Sequence, residues 1–170
     1  EWKFVIHDRT RKGPAVPNGS IGSRYGEEGT WNLEMRDCYD RADLDPVLSY
    51  AELGDETEWK LAAFPVFFEG QPSLRKGAVP VRRLAVTGAD GKQQERLVTT
   101  VFDILAASLA IDRGHGGDVA SGYEDARAYA TPAWQEAITG VPAEDMIRVA
   151  REFADNAERT GGRSMIIMGA

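Results

Sequence analysis

The chain of 170 residues is 42% hydrophobic and 28% charged, with a formal net charge of −7 at pH 7, the balance of a globular protein rather than a disordered one. That length buries roughly two thirds of the unfolded surface, so a core is attainable without disulfides, and the single cysteine, Cys38, excludes an internal disulfide or a cysteine-cluster metal site. The acidic balance argues against nucleic-acid binding, which needs a basic surface, and no apolar run approaches the roughly 18 residues that a membrane-spanning helix requires.

The first residues, Glu1-Trp2-Lys3, lack Met and the charged and apolar regions of a signal peptide, which reads as a start inside a longer polypeptide or after processing. Residues 2–6 read as a short strand and residues 9–13 as a charged turn. Residues 13–29 carry Gly13, Gly19, Gly22, Gly26 and Gly29 with Pro14 and Pro17, too many turn formers for a helix or a long strand. Ile21, Tyr25 and the following Trp31 point to an ordered loop buried on one side. Residues 36–57 are polar, with Asp37, Asp40, Asp43, Asp45, Asp55 and Glu56, and read as a surface insertion with little regular structure. Residues 59–68 are apolar and aromatic, and Pro65, which cannot donate to a ladder, makes them an edge strand or an extended segment. A strand is predicted over 80–87, a turn over 88–92 with Asp90-Gly91 as the hairpin signal, and a returning strand over 96–99.

Thr100 followed by Asp103 is a weak capping box, so a helix is predicted from Val101 to about Ala110, ending before Gly114-His115-Gly116-Gly117. Residues 123–130 read as a short helix or turn. Thr131-Pro132 marks a strong helix start, and that helix stops at Gly140. Pro142 starts another, with Glu144 and Asp145 in its first turn, and Gly161-Gly162 ends it. Met146, Val149, Ala150, Phe153 and Ala157 recur at helical spacing and predict one buried stripe. Ser164-Met165-Ile166-Ile167-Met168 has no alternation, which predicts a parallel strand buried on both faces. Gly169 then opens a loop. A helix feeding such a strand is the first half of a nucleotide-binding crossover.

No catalytic constellation emerges from the residues. The glycines at 19, 22, 26 and 29 match neither dinucleotide nor P-loop spacing, so turn geometry accounts for them. Glu27 and Glu28 are adjacent and point apart on an extended chain, a poor pair for acid–base work. His7, His115 and Cys38 match no recognised metal-ligand spacing, and His115 between glycines reads as part of a flexible loop. Arg75-Lys76 and Arg82-Arg83 are the basic clusters, and they read as a solvated strand edge.

Several stretches together resemble the alpha (catalytic) subunit of the bacterial membrane-bound respiratory nitrate reductases, in the molybdopterin oxidoreductase family. The most distinctive is Val16-Pro17-Asn18-Gly19-Ser20-Ile21-Gly22, continuing through Arg24 and Gly26-Glu27-Glu28-Gly29 to Trp31-Asn32-Leu33-Glu34. Leu97-Val98-Thr99-Thr100-Val101-Phe102-Asp103 and Thr131-Pro132-Ala133-Trp134 with Ile138-Thr139-Gly140-Val141 agree with the wider family. Ile147-Arg148-Val149-Ala150-Arg151-Glu152-Phe153-Ala154-Asp155-Asn156-Ala157, then Gly162-Arg163-Ser164-Met165-Ile166-Ile167 and Gly169, again resembles this subunit. The likeness spans most of the chain except residues 38–80.

The expected fold is therefore mixed α/β. An irregular Gly-rich N-terminal half with short strands and a hairpin leads to helix, helix and buried strand, half of a nucleotide-binding α/β unit. Residues 1–35 are expected as an ordered Gly-rich loop segment, 36–80 as a variable insertion, and 81–170 as an α/β segment leading into a cofactor-binding domain, one fragment rather than independent domains. The resemblance implies an internal scaffold part of a molybdenum oxidoreductase that reduces nitrate to nitrite in anaerobic electron transport, inactive as a fragment. It implies molybdenum bis(pterin guanine dinucleotide) and one 4Fe-4S cluster in the full subunit, whose ligands map onto no residue here. Gly169 is the one position it assigns as a cofactor contact, because a glycine lets backbone approach a phosphate. It further implies an iron–sulfur beta subunit and a haem-containing membrane gamma subunit as partners, and a place at the cytoplasmic face of the membrane. Two alternatives are a fragment of a selenate- or chlorate-reducing relative and a non-catalytic acidic binding module.

Overall fold

The computed structural model describes residues 5–15, 44–67, 73–88 and 90–167. The chain divides into two compact units, Glu1–Thr57 and Glu58–Ala170.

In the first unit, β1 (Ile6–Asp8) and β2 (Gly13–Ala15) form an antiparallel hairpin in which Ile6 faces Ala15 and Asp8 faces Gly13. The charged turn between them closes through Lys12, whose φ of 53° is uncommon for a side chain larger than glycine. Segment 45–47 lies along β1: the Arg9 N–H donates to the Asp45 carbonyl at 2.8 Å and the Val47 N–H to the His7 carbonyl at 2.9 Å. The fully buried Asp8 holds this junction, its Oδ1 accepting from the Thr10 and Asp45 N–H groups at 3.1 Å each. Ser49 then caps a 3-10 segment, Tyr50–Glu56, kinked at Gly54 (φ 70°). His7 and Tyr50 are buried and meet edge to face at 5.2 Å. The sequence places a strand at 2–6; residues 2–4 lie outside the described residues, and the strand that is described covers Ile6–Asp8. Residues 44–57 are also more structured than a surface insertion, because backbone pairing to β1 and burial of Val47 and Tyr50 order them. The Gly-rich stretch beyond Ala15 and residues 36–43 lie outside the described residues.

In the second unit, β3 (Glu58–Val66), β4 (Ser73–Thr87) and β5 (Gln93–Val98) form an antiparallel sheet in the order β3-β4-β5. The long β4 pairs first with β3, from Val66↔Ser73 to Glu58↔Val81, and then with β5, from Arg82↔Val98 to Thr87↔Gln93. β3 is an edge strand with Pro65 near its end, as the missing donor demands. The β4–β5 turn closes with the Gly91 N–H on the Gly88 carbonyl at 2.9 Å, and Gly91 has φ 76°. The strand expected over 80–87 starts earlier, at Ser73, because the Arg75-Lys76-Gly77 break in its apolar pattern serves contacts rather than ending the strand.

Helix α1 (Val101–Ser108) is capped by Thr100, whose Oγ1 accepts from the Asp103 N–H at 3.0 Å and donates to Asp103 Oδ2 at 2.8 Å. It buries Asp103, Ala106 and Ala107, and Ala107 joins Val79, Val81, Ala62 and Phe64 in the core. Helix α2 (Pro132–Thr139) is capped by Thr131 and stops at Gly140, φ 73°. Helix α3 (Ala143–Thr160) has Glu144 and Asp145 in its first turn and ends at Gly161, φ 65°.

Two expectations need correction here. The α3 stripe is not buried among the described residues: Met146, Val149 and Phe153 are exposed, Phe153 by 39%. Nor do residues 164–167 form a strand; they carry no regular secondary structure, with Met165, Ile166 and Ile167 exposed by 76%, 75% and 80%. The physical reason is shared. A stripe is buried only by a layer laid against it, and a strand forms only with a neighbour for its N–H and C=O groups.

Candidate functional site

The densest polar structure lies where α1 and residues 109–118 meet β4. Gly77 of β4 pairs with Ala62 on one side and bridges Gly117 on the other. Neither glycine has room for a side chain: a Cβ on Gly77 would sit 2.7 Å from the Ala107 carbonyl oxygen, and one on Gly117 2.8 Å from that of Lys76. This close approach lets Arg75 reach the end of α1. Its Nη2 donates to the Ala107 and Ser108 carbonyls at 2.6 and 2.5 Å, and its Nη1 to the Asp118 carbonyl at 2.9 Å. A buried guanidinium thus satisfies helix-end acceptors and complements the negative end of the helix dipole. Burial lowers its pKa, against the opposing pull of Asp118 and Tyr129. Arg75 is therefore no solvated strand edge.

Asp103, fully buried, accepts from Arg113 Nη1 at 2.6 Å. Arg113 in turn lies over the Trp59 ring at 5.1 Å, and His115 stacks on Trp59 at 3.7 Å with 11° between the planes. The glycine-flanked His115 is thus docked rather than part of a loose loop. On the exposed sheet face, Arg83 bridges Glu58 (2.7 Å) and Glu95 (3.0 Å), and Lys60 meets Glu58 at 2.9 Å. Arg83 first and Lys60 second pull the Glu58 pKa down to about 2. These are structural ties between neighbouring strands and loops; the sequence signalled the Thr100–Asp103 pair but not its Arg113 partner or the cap supplied by Arg75.

An apolar groove of about 750 Å³ opens between the end of α1, residues 120–123 and α3, with Leu109, Ile111, Tyr123, Met146 and Ile147 among its walls. The outward side of α1 is likewise apolar: Val101, Phe102, Ile104 and Leu105 are exposed while its small residues are buried.

Of the residues singled out in the sequence, His7 belongs to the first unit and His115 to the second. Cys38, Glu27, Glu28 and Gly169 lie outside the described residues. Among the described residues, no three of His, Cys, Asp or Glu come together as a metal-holding group, and no helix is long and apolar enough to cross a membrane.

No protein-family model matches the chain. It is 44% identical over 180 residues to the respiratory nitrate reductase 1 alpha chain of Escherichia coli (strain K12), covering 100% of this chain and 14% of that one. It is 37% identical to the nitrate reductase alpha chain of Bacillus subtilis (strain 168), covering 100% and 13%, and 39% identical to the nitrate reductase alpha subunit of Mycobacterium tuberculosis (strain ATCC 25618 / H37Rv), covering 99% and 13%. The matched region takes in 99–100% of this chain in all three. The chain is thus similar over nearly its whole length to nitrate reductase alpha chains, and it spans 13–15% of the length of those it matches.

Proposed function

We propose that these 170 residues are a scaffold part of the alpha subunit of a molybdenum-dependent respiratory nitrate reductase, which reduces nitrate to nitrite. The observation that carries this is identity of 37–44% from end to end with nitrate reductase alpha chains of distant bacteria. The surface supports the scaffold role. A structural piece of a large subunit carries apolar faces made for other parts of that subunit, and α1, α3 and residues 165–167 expose such faces.

In this reading the full subunit would hold molybdenum bis(pterin guanine dinucleotide), which would supply two-electron chemistry toward nitrate, and one 4Fe-4S cluster, which would supply electrons. Gly169 is the position of this chain proposed to approach the dinucleotide. The word alpha in the relatives' names implies partner subunits; the proposed ones are an iron–sulfur beta subunit and a haem-containing membrane gamma subunit, with the alpha subunit peripheral at the cytoplasmic face. The experiment is to express the intact subunit carrying this sequence with its partner subunits and compare kcat/KM for nitrate, chlorate and selenate. Nitrate as the preferred acceptor supports the assignment; a clear preference for selenate or chlorate replaces it with a sister enzyme.

A further inference from the structure

Residues 163 and 164 do not leave α3 freely. Past Gly161 the chain folds back along the helix, with the Gly162 N–H donating to the Ala157 carbonyl at 2.7 Å. The Asn156 side-chain amide donates to the Arg163 carbonyl at 3.0 Å and to Ser164 Oγ at 2.9 Å. Ser164 Oγ itself donates to the Phe153 carbonyl at 2.9 Å, and the Arg163 N–H donates to Thr160 Oγ1 at 3.1 Å. Val149, Phe153, Asn156 and Thr160 share one face at helical spacing. The clasp therefore lays the outgoing segment over the same face that exposes Val149 and Phe153. That segment continues as three apolar residues without alternation, all at least three quarters exposed. A run that is apolar on both faces is what a strand inside a helix-covered parallel sheet requires, and a helix turning back into a strand is one half of the crossover that joins such strands.

We propose that Asn156 and Ser164 are positioning residues that preset residues 164–167 to enter a parallel β-sheet, whose other strands come from the same subunit polypeptide outside these 170 residues, with the apolar face of α3 lying over it. The occupant follows from size: the alpha chains similar to this one are matched over only 13–15% of their length, so most of such a polypeptide is available to cover this face. The proposal rests on the assignment to that subunit. An antiparallel hairpin partner is disfavoured, since one face of an antiparallel edge is commonly polar.

The test is hydrogen exchange on the intact alpha subunit carrying this sequence, in the wild type and in Asn156→Ala. The Ile166 and Ile167 amides are expected to exchange at least about 100-fold more slowly than exposed coil, as sheet members do. Asn156→Ala is expected to speed them by about tenfold or more while the α1 amides keep their rates. Coil-like exchange in the wild type overturns the sheet. Slow exchange unchanged by Asn156→Ala overturns the clasp. Protection that fades on dilution assigns the face to a second copy and overturns the choice of occupant. Nitrate reduction by the same preparation separates the two readings: protected amides without that activity sink the enzyme assignment alone, and activity with unprotected amides sinks this proposal alone.

Discussion

Asp103 carries a charge with no exposed surface, and it is tolerable there because Thr100 and Arg113 both bond to it. Removing one partner of such a pair leaves the other uncompensated, at a cost of about 3–5 kcal/mol when both are buried. Arg113 keeps some access to water, so Asp103→Ala is expected near the lower end, about 3 kcal/mol, read from the shift in urea midpoint at unchanged slope. Gly77→Ala is expected to cost about 1–3 kcal/mol, because its Cβ meets backbone of Ala107 that only a shift of α1 relieves. An unchanged midpoint for either variant would contradict the packing described. At this scale the sequence was legible where partners are near in the chain, as Thr100 with Asp103. Arg75 was not, since its acceptors lie more than thirty residues away on a helix end, and a lone cation in a strand looks solvated.

Helix limits followed from local chemistry: Thr100, Thr131-Pro132, Gly140 and Gly161 each sit where caps belong. The start of β4 did not, because Lys76 and Gly77 break the apolar pattern for reasons that lie in residues 107–118. The β3–β4–β5 sheet also carries a pH dependence. Glu58 falls from its ordinary 4.5 to about 2 when folded, held by Arg83 and Lys60. A depressed carboxylate adds stability that is present above its unfolded pKa and lost as pH falls through the folded one. The expected loss from this group therefore runs between pH 4.5 and about 2, and it is softened by solvent and salt because the group is on the surface. Urea midpoints measured against pH are expected to fall less steeply there in Glu58→Gln than in the wild type; parallel curves would contradict the ion-pair account.

At the scale of the whole molecule, the amphipathic stripe of α3 and the apolar run after it were plain in the sequence, but what covers them was not. In the 170-residue chain Phe153 is 39% exposed, so Phe153→Ala is expected to cost well under the about 3–5 kcal/mol of a buried aromatic. The exposed faces of α1, α3 and residues 165–167 are also expected to make the separate chain self-associate, visible as a mass that rises with concentration in sedimentation equilibrium. On the proposed scaffold role, Phe153 is expected to pack against the remainder of the polypeptide in the intact subunit, so that the same substitution acts on the segment that leads to Gly169. The most direct measurement of the scaffold role is molybdenum content together with the KM for nitrate in the intact Phe153→Ala enzyme. Lower molybdenum per subunit at an unchanged KM is the expected result. Full molybdenum content with a strongly raised KM would place this segment on the substrate path and contradict it.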